Sequence, residues 1–260
     1  MKSYPKISIV VPSLNKGRYI EQTLQSIIDQ KYPNLEVIIK DGGSSDNSFE
    51  IINKFIKKYK NTFKLIVSKD KGQWDAINKG FSMATGDLLG FINADDMYAK
   101  KALINIVKAY SANPDNQWFA GEGKTVDEMG RECSTFTDNY KNWLLKQNRY
   151  KFLLAINYLF QPSVFITKKC FKKYGPFVGE GKYAMEYDMW LKIAKTEMPT
   201  LIQKVVSEFR LTREGASIKE YRKLLKADEK ILENQSDDIF ANMVHYVHNI
   251  ARIIIVYFFK

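Results

Sequence analysis

The sequence predicts an α/β fold with a mostly parallel central sheet, on three observations. Short β-branched runs recur at regular intervals, ISIVV at 7–11, LEVII at 35–39, FKLIV at 63–67 and LLGFI at 88–92. They are mostly apolar, with Ser8, Glu36 and Lys64 as exceptions, and look like strands buried on both faces. Stretches with apolar residues at helical spacing separate them. The composition supplies the necessary core: 45% of the 260 residues are hydrophobic and 13% aromatic, enough for one large domain or one domain with an appendage.

Each element follows from its local pattern. After the first strand, Ile20, Leu24, Ile27 and Ile28 fall at i, i+4, i+7 and i+8, one face of a helix. After the second, Ile52, Ile56 and Tyr59 repeat that spacing with Ile51 and Phe55 beside them, and Asn47 with Glu50 reads as a capping pair. A third helix is expected over Trp74 to Ala84, stopped by Gly86. Strands alternating with helices at this interval imply right-handed βαβ units. Residues 1–112 therefore read as a Rossmann-like nucleotide-binding half. Beyond Asn113-Pro114 the pattern loosens, and residues 113–219 are expected to form a second half of the same domain, with no linker, repeat or low-complexity tract between them. Residues 220–260 read as a charged helical region with an apolar end.

Composition also excludes chemistry. Cys133 and Cys170 are far apart and unpaired with a histidine set, so neither a disulfide framework nor a zinc site is expected, and a cytoplasmic setting fits. His245 and His248 are the two histidines; carboxylates must do any acid, base or metal work. The N-terminal apolar run is too short for an export signal, and Ile253 to Phe259 falls well short of the roughly 20 residues that span a bilayer. A formal charge of +11 draws anions, but the scattered lysines carry no aromatic-interleaved signature, so no nucleic-acid partner is expected.

In open α/β sheets, ligands bind beyond the carboxyl ends of the strands. The four loops that fall there share a character: Pro12, Ser13 and Asn15; then Asp41-Gly42-Gly43-Ser44-Ser45-Asp46; then Asp70-Lys71-Gly72; then Asn93-Ala94-Asp95-Asp96. Any one of them could be a turn with a helix cap. Four on one predicted edge, the last with adjacent carboxylates, suit a hard Mg²⁺ or Mn²⁺ ion shared with substrate phosphates.

These residues resemble the family-two glycosyltransferases of the GT-A type, the inverting family that builds bacterial surface polysaccharides. Three blocks carry the resemblance, in the family's order: VPSLNKGRYIEQTLQSIIDQKYPNLEVIIKDGGSSDNSFEII, KDKGQWDAINKGFSMATGDLLGFINADD, and QPSVF followed by YAMEYDMWLKIA. The resemblance implies a sugar moved from a nucleotide-diphosphate donor, UDP by default, to a hydroxyl of a saccharide or lipid-linked saccharide, in cell-surface polysaccharide or lipopolysaccharide assembly. It places Pro12, Ser13 and Asn15 along the nucleotide, Asp41 on the base, and Asp70, Gly72, Asp75 and Asn78 around the ribose or diphosphate. Asp96 is implied as the direct metal ligand and Asp95 as nearer the ribose or a metal-bound water; Asn93 stands at the motif's first position, a departure that leaves the ligand set open.

The family's general base matches Glu186, with Asp188 as the alternative. Residues 186 and 188 lie about 200° apart on a helix, so one of them faces the site. Asp188 has Lys192 at i+4 as an ion-pair partner, whereas Glu186 has Met189 and Trp190 at i+3 and i+4, which favours Glu186. Gln161-Pro162-Ser163 resembles a family loop near the acceptor or diphosphate, though a Gln-Pro pair is also a common strand-edge turn, and Arg210 and Arg213 fall where relatives carry a basic or histidine-containing closing loop, or are solvated surface arginines. Trp74 and Trp190 read as core, and the histidines as no metal pair. The tail HNIARIIIVYFFK is expected to dock on the sheet, to lie peripherally on the inner membrane face, or to pair with a second copy. The rivals are a nucleotidyltransferase, for which PSLNKGRY is a poor phosphate loop, and a non-catalytic sugar-nucleotide-binding protein, which would not need the NADD pair and Glu186 together. A dehydrogenase would need GxGxxG after the first strand.

Overall fold

The computed structural model describes residues 4–178, 184–213 and 215–258, with side chains at 216, 217 and 254–258 outside the description. Strands β1 (Ile7–Ser13), β2 (Leu35–Asp41), β3 (Phe63–Val67) and β4 (Leu88–Phe91) coincide with the four runs, and β3-β2-β1-β4 are parallel neighbours. Helices α1 (Ile20–Ile28), α2 (Ser48–Lys58) and α3 (Gln73–Met83) fill the crossovers. β1, β2 and β4 are almost wholly buried on both faces, whereas β3, at the edge of the sheet, buries Phe63 and leaves Lys64 and Val67 exposed. Ile7, Ile9 and Val11 enter one core with α1 and α2, while Val10 enters the other with Ile77 and Phe81 of α3. Helix α3 lies so close to the sheet that a Cβ on Gly80 would meet the Val10 side chain at 2.5 Å.

One local expectation is corrected. Asn47 sits at the start of α2 but makes no side-chain cap. Asp46 does that work instead: its Oδ1 accepts the Ser48 N–H at 2.9 Å and its Oδ2 the Gly17 N–H at 2.8 Å. The loop after β2 is thereby tied to the loop after β1.

The second half continues the same sheet. β5 (Met97–Tyr98), α4 (Ala102–Ala112), β6 (Trp118–Val126), α5 (Thr135–Gln147), α6 (Tyr150–Ala155), a 3-10 turn at Gln161–Ser163, β7 (Val164–Thr167), α7 (Lys168–Tyr174), α8 (Met185–Ala194) and β8 (Thr200–Arg210) follow in order. The full order is β3-β2-β1-β4-β7-β6-β8-β5. β7 enters antiparallel between β4 and β6, and β8 runs parallel to β6 and antiparallel to β5. Trp118 and Trp190 stack with centroids 5.9 Å apart in the core, as the sequence reading expects of Trp190.

Helices α9 (Ala216–Lys219), α10 (Tyr221–Gln235) and α11 (Ile239–Phe258) complete the chain. They dock on α8 and α6, and Leu232 and Ala241 join the core on that face. Tyr221, Leu225, Asp228 and Leu232 form the buried stripe of α10. On α11, Ala241, His245 and Asn249 are buried, while Ile239, Phe240, Met243, Tyr246, Val247, Ile250 and Ile253 are exposed. Among the described residues no helix is long and apolar enough to cross a membrane. The last residues of the apolar tail, Phe259 and Lys260, lie outside the described residues, as does Tyr183 of the YAMEYDMWLKIA block.

Candidate active site

The carboxyl ends of β1, β2 and β4 open onto a cleft of about 630 Å³. Pro12, Ser13 and Lys16 from the loop after β1, Gly42 after β2, Asp70 and Gly72 after β3, and Asn93 and Asp95 after β4 line it, with Gln161, Glu186 and Arg210 from the second half. Gly72 has φ 153°, a conformation that side chains resist, so it presents bare backbone there.

Several residues that the resemblance implies for the nucleotide site are engaged within the protein. Asp41 is 1% exposed and is taken up by its own loop: its Oδ1 accepts the Gly43 and Ser44 N–H groups at 2.9 and 2.7 Å, and its Oδ2 the Ser44 hydroxyl at 2.7 Å. Asn15 bridges the same loops, accepting the Ser45 N–H at 2.8 Å and donating its own N–H to the Ser44 hydroxyl. Asp75 accepts the Lys71 N–H and pairs with Lys79 at 2.8 Å, a carboxylate at the first turn of α3 where the helix dipole favours it. Asn78 holds the Phe177 backbone through both its amide atoms. None of the four lines the cleft. Asp70 does, held from behind by Lys79 at 2.8 Å and by the buried Lys40 at 2.7 Å. Lys40 places its other donors on the carbonyls of Asp41 and Ser68, so its burial leaves no donor unmet.

The two residues of the acidic pair face different ways. Asp96 is 1% exposed and faces inward, its Oδ1 accepting the Arg210 N–H at 2.8 Å and its Oδ2 the Asn93 amide at 3.1 Å. Burial and the neighbouring Asp95 push its carboxyl well above the usual range. Asp95 lines the cleft, and its Oδ2 meets the Lys16 ammonium at 2.5 Å, so a cation already stands at that oxygen. Among the described residues no three histidine, cysteine or acidic side chains gather to hold a metal. That donor set fits an ion that takes one or two protein carboxylates and completes its shell with water and substrate phosphate, the habit of Mg²⁺.

Arg210 is likewise engaged. It reaches the cleft wall, yet all five guanidinium N–H donors are spent inside the protein, on the carbonyls of Asp95, Asp127 and Glu128, on Gln22 Oε1 and on Met97 Sδ. It is a clamp on five positions, with no donor to offer a diphosphate. Arg213 is exposed and does not line the cleft, although Thr212 and Gly215 beside it do, and its backbone N–H is on Glu128 Oε1. Gln161 lines the cleft with its amide fixed on the Phe91 carbonyl at 2.8 Å.

The two acids of α8 part company. Asp188 is bound to Lys192 at 2.6 Å and to the Gln235 amide at 2.6 Å and is absent from the cleft. Glu186 lines both the cleft and a second cavity of about 340 Å³ behind it. Burial raises its pKa above the ordinary glutamate value, with Lys141 opposing the shift. Sequence reasoning missed the cavity wall, made of Lys141, Asn157, Tyr221, Asp228, His248 and Arg252. The available signal was Asp228, an acid inside the apolar stripe of α10.

The sequence model described as Glycosyl transferase family 2 matches residues 8–171. The glycosyltransferase GlyG of Streptococcus pneumoniae is 37% identical over 123 residues, 47% of this chain and 40% of its own length. A PGL/p-HBAD biosynthesis glycosyltransferase of Mycobacterium tuberculosis is 28% identical over 174 residues, 66% of this chain and 63% of its own. An uncharacterized glycosyltransferase of Nostoc matches 54% of this chain and 46% of itself; the chain thus spans about half the length of such relatives. Among solved structures, Staphylococcus aureus TarS 1–349 in complex with UDP-GlcNAc has TM-score 0.67 at 18% identity, covering 92% of this chain and 70% of that one. The mannosyltransferase PcManGT of Pyrobaculum calidifontis, in complex with GDP-Man and Mn²⁺, has TM-score 0.71 at 16% identity, covering 95% and 70%. The shared architecture is the GT-A fold.

Proposed function

Because this chain belongs to glycosyl transferase family 2, we propose that it transfers a sugar from a nucleotide-diphosphate donor to an acceptor hydroxyl with inversion, in cell-surface polysaccharide or lipopolysaccharide assembly. The observation that carries the reading is Glu186, a carboxylate with a raised pKa at the boundary between a polar cleft and a second cavity. The strand-end loops of Pro12, Ser13, Gly42 and Gly72 receive the nucleotide, and Asp70, braced by Lys40 and Lys79, receives ribose hydroxyls. Asp95 is the residue that would hold Mn²⁺ or Mg²⁺, with Asp96 buttressing the loop from inside. The ion, when bound, neutralises charge on the leaving diphosphate. Glu186 Oε takes the proton of the acceptor hydroxyl as that oxygen forms the new bond to the anomeric carbon, and the diphosphate leaves with the bonding pair from the opposite face.

The test is melting temperature against UDP-, GDP-, dTDP- and CDP-sugars, with and without Mn²⁺, joined to release of free nucleotide diphosphate. A metal-dependent rise with one nucleotide class and slow turnover are expected. No rise with any donor would leave a binding or scaffold role. UDP-sugars are the first to try; a response to GDP-mannose alone would move the base assignment.

The exposed face of α11 supports peripheral membrane contact. Its exposed apolar residues recur at helical spacing from Ile239 to Ile253, the one charged residue in that span, Arg252, turning toward Asp228, and Arg222, Lys223, Lys226 and Lys230 are exposed on the neighbouring α10, a pairing that suits an anionic interface. Co-sedimentation with phosphatidylglycerol vesicles is expected to fall at least tenfold on replacing Met243 and Val247 by glutamate. Unchanged sedimentation, with a dimer in solution that the double variant abolishes, would assign the face to a second copy instead.

A further inference from the structure

Among the described residues, three that line the cavity behind Glu186 carry a buried oxygen without a hydrogen-bond partner, Asp228 Oδ1, Asn157 Oδ1 and Tyr221 Oη. Such atoms cost about 1–3 kcal/mol each when left unmet, and Asp228 is 1% exposed, so water does not reach it freely. Its Oδ2 has the Arg252 guanidinium at 3.5 Å, a loose pair, and burial lifts its carboxyl to about 7. Lys141 presents the complementary deficit. Its ammonium lies 3.9 Å from the Phe160 ring centroid and has one long hydrogen bond, 3.4 Å to the Leu159 carbonyl. An arrangement with vacant acceptors, a donor in need of a lone pair, and the rings of Tyr140 and Phe160 on the wall matches a hydroxyl-rich ring with apolar faces. At about 340 Å³ the cavity lies at the small end of ligand sites, roughly 300–1,000 Å³.

We propose that this cavity holds the sugar ring of the acceptor, with Asp228 and Asn157 accepting from its hydroxyls and Lys141 donating to a ring or hydroxyl oxygen. The assignment rests on the transferase reading above and adds that α10 and α11, outside the matched segment 8–171, choose the acceptor. Glu186, Gln161 and Leu224 line both spaces, so a ring seated here turns one hydroxyl toward the donor cleft across Glu186.

The experiment is saturation-transfer NMR on the full chain with UDP and Mg²⁺, using the methyl glycosides of glucose, galactose, mannose and N-acetylglucosamine as probes. The variants are Asp228→Asn, and Thr137→Trp, which fills the cavity from an exposed position on α5 that does not reach the cleft. At least one glycoside is expected to give a signal with the native chain that drops at least tenfold in both variants, while nucleotide affinity is unchanged in Thr137→Trp. A signal from none of the probes, or one that survives both variants, overturns the assignment. Nucleotide binding read in the same tubes separates the two failures: if UDP binds and glycosides do not, only the acceptor cavity is wrong. If neither UDP nor GDP, run as a second set, binds with Mg²⁺, the transferase reading falls with it.

Discussion

Glu186→Gln is expected to lower turnover by roughly 10²–10⁴-fold, the usual contribution of a general base, with donor affinity retained. The amide keeps the size of the side chain and removes its basicity, so loss of rate without loss of binding isolates the proton transfer. The pH profile adds an independent check. Burial lifts the Glu186 carboxyl above its ordinary 4.5, against the pull of Lys141. The ionised form takes the proton, so rate falls as pH drops through this raised value. The acid limb of kcat/KM should therefore lie above 4.5 in the native chain and vanish from the residual activity of the glutamine variant. Lys141→Met, which removes the opposing charge, should move that limb further up. A fully active Glu186→Gln enzyme would return the role to Asp188, which would first have to leave Lys192 and Gln235.

The second large effect separates two adjacent carboxylates. Asp95→Asn should abolish the Mn²⁺-dependent rise in melting temperature given by donor, a rise equivalent to about 2.7 kcal/mol when donor stands at a hundred times its Kd. Asp96→Asn should keep that rise and lower the starting stability instead, by about 1–3 kcal/mol, because one of the two oxygens that accept from the Arg210 N–H and the Asn93 amide becomes a donor facing a donor in a buried place. The two variants thus differ in which quantity moves. The opposite pattern would restore Asp96 as the direct ligand.

The half of the fold that was legible in the sequence is the half whose signals are local. β1 to β4 are short, mostly apolar runs, and α1 to α3 carry their faces in plain spacing. β8 was not legible, because TLIQKVVSEFR mixes exposed lysine and glutamine with buried valine and isoleucine, and nothing near it announces partners some 80 and 110 residues earlier in β6 and β5. The site divides in the same way. Position in a loop was readable, and Pro12, Ser13, Asp70, Gly72, Asn93, Asp95 and Glu186 do line the cleft. Direction within a loop was not: Asp41, Asp75, Asn78 and Asp96 sit in the expected loops or helix starts, but turn toward backbone N–H groups or a lysine. Arg210 shows why charge alone misleads, since a basic residue beside a polar cleft proved fully committed to protein acceptors. Lys16 was missed although it adjoins Asn15; its ion pair with Asp95 joins loops 79 residues apart.

Leu224 of α10 lines the donor cleft as well as the second cavity, and β8 closes the sheet between β6 and β5. During synthesis, the first four strands can pair as they leave the ribosome, but β5 waits for a strand made about a hundred residues later, and the cleft lacks a wall until α10 has docked. Long-range pairing of this sort is slow and leaves apolar edges uncovered for a time. A nascent chain stalled before residue 200 would carry β1 to β4 and their strand-end loops and still present β6 as an open sheet edge.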